Sequence, residues 1–318
     1  MVSGGKMFAR LVLESSLGAS ARQTIVSREA HAEQAFVKQK AGHAGVKVFD
    51  PESFGKKLRD KPLADTFFVL GSGSSVNRLT SDNFREIGHH RSVGINNWPI
   101  HPFVPDMYSF DSVPWVGDGQ NFRRSLDLLH RPDIIGALPQ VLAVRLKDHS
   151  EISHIDSLPP EMRSKVHFYG RVMPATRKVA NLTKDLSEAL NMLTRDHPGV
   201  VLDSGASVVR MVGIALALGY RKIVLVGVDL NNTTYFWEKN PLFPEGGPVP
   251  VPINNQRRLT HETTDTWIRP FSVIDMLGNL AKVVSRHFGG NIFLGTSPSA
   301  LASILPVYPW KVPPIEGA

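Results

Sequence analysis

The sequence predicts a single α/β domain built on a mostly parallel sheet, and three observations predict it. The run Val200–Trp237 contains a helix pattern that is apolar on nearly every side (Val208, Val209, Met211, Val212, Ile214, Ala215, Leu216, Leu218), followed by the continuously apolar, β-branched stretch Ile223–Val228. A helix without a polar face and a strand without alternation are both buried on all sides, the arrangement of a covered parallel sheet. Second, the apolar strand Thr66–Leu70 runs into Gly71-Ser72-Gly73-Ser74-Ser75, a strand-to-helix turn of small residues. Third, polar residues follow successive strands, with Asn96 after Ser92–Ile95, Asp111 after Met107–Phe110 and Asp229 after Ile223–Val228. Open α/β sheets bind ligands outside the carboxyl ends of their strands.

In chain order, residues 1–61 form an accessory segment that is helical around Ala30–Ala41 and carries no recognisable chemistry. The remainder, 62–318, holds the sheet. In the Gly71–Ser75 turn, glycines permit close backbone approach and the hydroxyls add donors, so N–H groups there can cradle a phosphate or ribose. A tight turn that binds nothing explains the same residues, because the third glycine of the dinucleotide fingerprint and the lysine of a Walker loop are missing. Asn and Asp at strand ends are likewise turn formers in their own right. Another strand falls within Ile134–Leu146, and a short helix covers Ser187–Arg195. His149 and His154 lack i, i+4 spacing and predict no metal site. Asp203, Ser204 and Gly205 supply helix-entry chemistry for the buried helix, and Gly219 stands where its C-terminal cap belongs.

After Asp229 the pattern breaks. Asn231–Leu259 holds Pro241, Pro244, Gly246, Gly247, Pro248, Pro250 and Pro252, too many breakers for a regular element. A loop of this length in a compact domain reads as a lid, and Tyr235, Phe236 and Trp237 are the aromatics that would close it over a ligand. Regular structure resumes with an amphipathic helix over Ile268–His287 and a last strand, Asn291–Leu294, which leads into Ser297-Pro298-Ser299-Ala300-Leu301.

Composition narrows the partners. The chain has 318 residues, 42% of them hydrophobic, no cysteine and a formal net charge of +7. Disulfides and thiolate metal sites are excluded, no apolar run has the length of a membrane span, and the expected compartment is the cytoplasm. The positive charge favours an anionic ligand such as a nucleotide, or peripheral contact with an anionic membrane surface, and leaves a homo-oligomer open. Both charge signs are spread along the chain without a polybasic block, so nucleic acid is not an expected partner.

The order of parts resembles the bacterial sialyltransferases of glycosyltransferase family 42. It is carried by the Gly-x-Gly-x-Ser turn at Gly71–Ser75, Asn96 after the second strand, Ser204-Gly205 opening a helix that ends Ala217-Leu218-Gly219-Tyr220, and the strand leading to Asp229-Leu230. Downstream, the lid, His261, a helix, a strand and Ser297–Leu301, similar to the family's Pro-Asn-Ser-Leu stretch, follow in the same order over Thr66–Pro306. The resemblance implies a Rossmann-like domain of variant GT-A type. Its implied reaction is inverting transfer of sialic acid, or a related nonulosonic acid, from a CMP-activated donor to an acceptor sugar hydroxyl. No metal or other cofactor takes part, and the partners are the nucleotide-sugar donor and a glycan acceptor. By position, Gly71, Ser72, Gly73, Ser74, Ser75, Asn96, Ser204, Gly205, Asp229, Ser297, Pro298 and Ser299 would hold the cytidine nucleotide. His261 would be the general base, and Tyr235, in a Thr-Thr-Tyr similar to the family's Ser-Ser-Tyr, would assist the departing phosphate. A near-neutral imidazole suits the first role, and hydroxyl donors suit the second.

Two positions depart from the family. Val201 stands where it places an arginine three residues before Ser-Gly, and Asn231 where it places a tyrosine after the strand-end Asp. Arg257 or Arg258, just before His261, then stands as the source of charge stabilisation, against the alternative of a solvated surface pair. Two other readings fit the same turn. A hydroxymethylpterin pyrophosphokinase-like enzyme would use ATP and magnesium held by Asp111 and Asp229, and a catalytically inactive nucleotide-binding module would use neither.

Overall fold

The computed structural model describes residues 19–58, 65–110, 126–144, 155–176, 178–238, 240–243, 264 and 271–315. Among the described residues the strands are β1 (Lys47–Val48), β2 (Thr66–Leu70), β3 (Arg91–Ile95), β4 (Met107–Phe110), β5 (Gln140–Val144), β6 (Val166–Val172), β7 (Val200–Leu202), β8 (Lys222–Val226) and β9 (Asn291–Leu294). They form one sheet, and every pairing in it is parallel. The principal helices are α1 (Ala19–Ala44), α2 (Pro51–Lys57), α3 (Ser81–Gly88), α4 (Pro132–Ala137), α5 (Pro160–Arg163), α6 (Val179–Asp196), α7 (Ser207–Ala217) and α8 (Val273–Phe288).

The sheet runs β1-β6-β5-β4-β3-β2-β8-β9, with β7 also paired to β6. From β2 the chain therefore lays strands outward in one direction as far as β6 and β7. It then returns through α7 and places β8 on the other side of β2. The strand order reverses between β2 and β8, and at such a switch point two consecutive connections leave in opposite directions and open a crevice above the carboxyl edge.

Both faces of the sheet are covered, which is why its strands are apolar without alternation. Phe67 and Val69 of β2 and Ile223 and Leu225 of β8 join one core cluster, where α6, α7 and α8 contribute Leu186, Met211 and Leu280. Their neighbours Phe68, Leu70, Val224 and Val226 join the cluster on the opposite face, closed in part by Tyr308 and Trp310 near the carboxyl terminus. The tail is pinned there, Tyr308 N–H donating to Leu294 O at 2.7 Å and Trp310 Nε1 to Gly295 O at 2.6 Å.

Within the segment read as accessory, residues 19–58 pack onto the sheet. Lys47 and Val48 pair with His167 and Phe168 of β6, and α1 runs past that edge of the sheet. Val26 and Ala30 of α1 enter one core cluster, while Val37 and Ala41 enter the other. Sequence missed this because the helix gives its first half to one face of the sheet and its second to the other, so no single apolar stripe marks it. No helix among the described residues is long and apolar enough to cross a membrane.

Candidate functional site

The carboxyl edge gathers the sequence-predicted residues into two groups. The first sits on the switch point. Beyond β2, Gly71–Ser75 packs against the turn that follows β8, where Gly227 and Leu230 both take positive φ, 64° and 62°. A methyl group at Gly71 would lie 2.6 Å from Gly227 O, and one at Gly73 would lie 2.6 Å from Asp229 Cγ. The two glycines are thus required by the closeness of two backbones, whatever the turn binds. Gly71→Ala is expected to destabilise the fold by about 1–3 kcal/mol through overpacking against backbone that cannot rotate away, a loss readable as a lowered denaturation midpoint.

Four of the five amides of this turn are already engaged. Gly71 N–H donates to Val226 O at 2.7 Å, Gly73 N–H to Gly227 O at 2.9 Å and Ser74 N–H to Thr234 O at 3.1 Å. Ser75 N–H donates to Asp229 Oδ2 at 3.0 Å. These four donors close the turn on its neighbours. What the turn offers outward is its part-exposed serines, Ser72 and Ser74.

Asp229 is the bracket of this group. One oxygen accepts Ser75 N–H and the Ser74 hydroxyl at 3.4 Å, and the other accepts a short bond from the Ser75 hydroxyl, itself receiving Thr296 Oγ1 at 2.9 Å. Burial pushes its carboxyl above the usual range, partly offset by those donors from Ser75 and Ser74. Both oxygens are engaged from within, which ties Asp229 to the position of the turn. Ser299 serves the same turn: its hydroxyl donates to Val228 O at 2.7 Å, and Ala300 N–H donates to Asp229 O at 2.8 Å. Ser297 is exposed, Pro298 is half-buried, and Thr296 is a member that sequence reasoning missed.

The second group lies at the ends of β3, β6 and β7. Asn96 takes a left-handed φ of 54°, which asparagine tolerates better than most residues, and its side chain is exposed. Ser207 Oγ donates to Asn96 Oδ1 at 3.3 Å. From there a chain of polar contacts runs inward. Arg210 Nη2 donates to Ser207 Oγ at 3.0 Å and Nη1 to Asp203 Oδ1 at 2.8 Å, Arg171 Nη1 reaches Asp203 Oδ2 at 2.8 Å, and Arg210 Nε reaches Tyr169 Oη at 3.2 Å. The Asp203 side chain is fully buried and that of Arg210 is 1% exposed. Burial alone would raise the Asp203 carboxyl, but Arg210 and Arg171, with Gly205 N–H, outweigh it and hold the group below its ordinary value. Asp203 also shapes the turn into α7, accepting Gly205 N–H at 2.7 Å. The helix itself begins at Ser207, with Ala206 at its N-cap, rather than at Asp203–Gly205.

The described part of the expected lid, residues 231–238 and 240–243, is tied to the Gly-Ser turn. Gly73 and Tyr235 form an antiparallel bridge, Phe236 N–H donates to Ser72 O at 3.0 Å, and Asn77 Nδ2 donates to Phe236 O at 3.0 Å. Phe236 is fully buried against Trp98 and Trp237, and the Tyr235 ring stacks on Trp237 at 4.6 Å. These aromatics form a wall beside the Gly-Ser turn. Residues 244–259 of that loop, together with Asp111, His149, His154, Arg257, Arg258 and His261, lie outside the described residues. Among the described residues no group of three or more His, Asp or Glu side chains is placed to hold a metal ion.

No protein-family model matches the chain, and no curated protein matches it. Among solved structures the chain is similar to the sialyltransferase CST-II in complex with trisaccharide acceptor and CMP. Identity is 15%, 77% of this chain and 86% of that one are covered, and the TM-score is 0.39. It is also similar to the sialyltransferase CstII from Campylobacter jejuni in complex with the substrate analogue cytidine-5'-monophosphate, at 16% identity, with 77% and 85% covered and a TM-score of 0.41. No residue's role in this chain follows from either likeness.

Proposed function

We propose that the protein is a glycosyltransferase that moves sialic acid or a related nonulosonic acid from a CMP-activated donor to an acceptor sugar hydroxyl, with inversion and without a metal ion. The observation that carries this reading is the placement of the motif residues. Gly71–Ser75, Asn96, Ser204-Gly205, Asp229 and Ser297–Ser299, dispersed over most of the chain, all lie at the carboxyl edge of one parallel sheet whose order reverses between β2 and β8. In this reading Ser72, Ser74, Asn96 and Ser297 contact the cytidine nucleotide. Asp229, Thr296 and Ser299 hold the turn that presents them, Tyr235 assists the departing phosphate, and His261 takes the acceptor proton. Arg258 is a further candidate for charge stabilisation. The donor and a glycan acceptor are the partners.

In the pyrophosphokinase reading, a divalent cation on Asp229 would compete with the bonds from Ser74 and Ser75 that fix the Gly-Ser turn. Thermal unfolding separates the two. CMP at about a hundred times its dissociation constant is expected to stabilise the folded state by about 2.7 kcal/mol, with the chelator EDTA present as well as absent. Stabilisation by ATP that requires magnesium, with none from CMP, would transfer the assignment to the pyrophosphokinase class.

A further inference from the structure

Four of the five amide donors of the Gly-Ser turn are spent within the protein, so an anionic ligand at this edge needs most of its charge met elsewhere. The geometry points to Arg171 as the anion-binding side chain of the site, with Asp203 as the residue that positions it. The inference deepens the proposed function and rests on it for the identity of the ligand.

Arg171 lies one residue from the carboxyl end of β6, in register with Val201 of the adjacent strand β7. Parallel partners in register project to the same face of a sheet. The guanidinium thus emerges on the face Val201 occupies, which is the α7 side, since a methyl at Gly213 of α7 would lie 3.7 Å from Val201 Cβ. A charge missing from β7 is supplied by the neighbouring strand.

Three features make this an anion site. Arg171 spends only Nη1 on Asp203, and 34% of its side chain is exposed, so Nε and Nη2 remain to form a fork toward a carboxylate or phosphate. Asp203 is in turn fixed by Arg210 and by Gly205 N–H, so the Arg171 fork is oriented before any ligand arrives. Beside it is the turn that leads into α7. In the same turn the Ser204 hydroxyl is buried with no hydrogen-bond partner. A buried hydroxyl without a partner is unfavourable in the empty site, and a ligand oxygen removes the penalty.

The ligand chemistry is a small oxyanion, and a CMP-activated nonulosonic acid offers two: the phosphate and the sugar carboxylate. Titration calorimetry of the full chain with CMP, cytidine, free N-acetylneuraminic acid and inorganic phosphate distinguishes them. Arg171→Gln is expected to weaken whichever anion it meets by about tenfold to a hundredfold and to leave cytidine unchanged. Loss confined to CMP and inorganic phosphate assigns the phosphate, and loss confined to the free acid assigns the carboxylate. Arg171→Lys, which keeps the charge and loses the fork, is expected to fall between the two.

Wild-type affinity of Arg171→Gln for CMP, inorganic phosphate and the free acid overturns the assignment. Should the glutamine variant not fold, wild-type affinity of Arg171→Lys for the three anions overturns it equally. Binding of inorganic phosphate through Arg171 without binding of CMP leaves the anion site standing and removes the CMP-donor reading. A wild-type protein that binds none of the anions removes both.

Discussion

Arg210→Leu is expected to lose about 3–5 kcal/mol of stability at neutral pH, because it leaves the Asp203 carboxylate buried with one of its two arginines gone. Arg171 remains, but a third of its side chain is in water and cannot replace a partner that is 1% exposed. The deficit should shrink as the solution is acidified. In the wild type the folded-state pKa of Asp203 lies below 3.8, so its contribution is fully present above that value and is lost as pH falls through the lower, folded one. The variant has less of that contribution to lose, and protonation relieves its unpaired charge. Removing both charges in Asp203→Asn/Arg210→Leu should recover part of the loss, since an apolar replacement for a buried pair is often neutral. Denaturant midpoints of the three proteins between pH 3 and pH 7 check this. An Arg210→Leu protein within about 1 kcal/mol of wild type at pH 7 would show that the cluster is not a structural centre.

His261→Ala is expected to lower sialyl transfer about 10²- to 10⁴-fold while leaving CMP affinity nearly unchanged, the signature of a group acting on the acceptor's proton. Tyr235→Phe should lower transfer by another route. Its backbone is bridged to Gly73 and its ring is stacked on Trp237, so the phenol is held beside the Gly-Ser turn and the substitution leaves the wall in place. A donor with a better leaving group should rescue the tyrosine variant more than the histidine variant. Initial rates at several pH values check both. Wild-type rates and an unchanged pH profile in His261→Ala would withdraw the proposed base.

The strands that were legible in the sequence are those whose partners need no distant polar group. Thr66–Leu70, Met107–Phe110 and Asn291–Leu294 are short apolar runs bounded by turn formers, and they are found with those bounds. β8 ends at Val226 instead of Val228 because Gly227 turns the chain at positive φ to meet Gly71. β6 was invisible because His167, Gly170 and Arg171 interrupt its apolar pattern. Each is explained by residues remote in sequence: Gln140 beside His167 at 3.1 Å, Glu33 where a Gly170 side chain would go, and Asp203 on Arg171. At the site, sequence identified Gly71–Ser75, Asp229 and Ser299 as a set but not that they are partly one another's partners. Arg210 carried a signal that could have been read. A lone arginine in an otherwise apolar buried helix requires a carboxylate nearby, and Asp203 is the acidic residue just upstream.

The pairing of β1 with β6 orders the events of synthesis. Lys47 and Val48 leave the ribosome well before His167 and Phe168, and β2 waits longer still for its second neighbour, Lys222–Val226. Until then the nascent chain presents the apolar side chains of α1 and one unpaired edge of β2, an aggregation-prone template. Closing such long loops between parallel strands is slow, because their entropy must be lost before the contacts that reward it form. The crevice at the switch point takes shape only once β8 has been made and paired with β2. A product truncated before β8 would carry the Gly71–Ser75 turn without the strand that closes it.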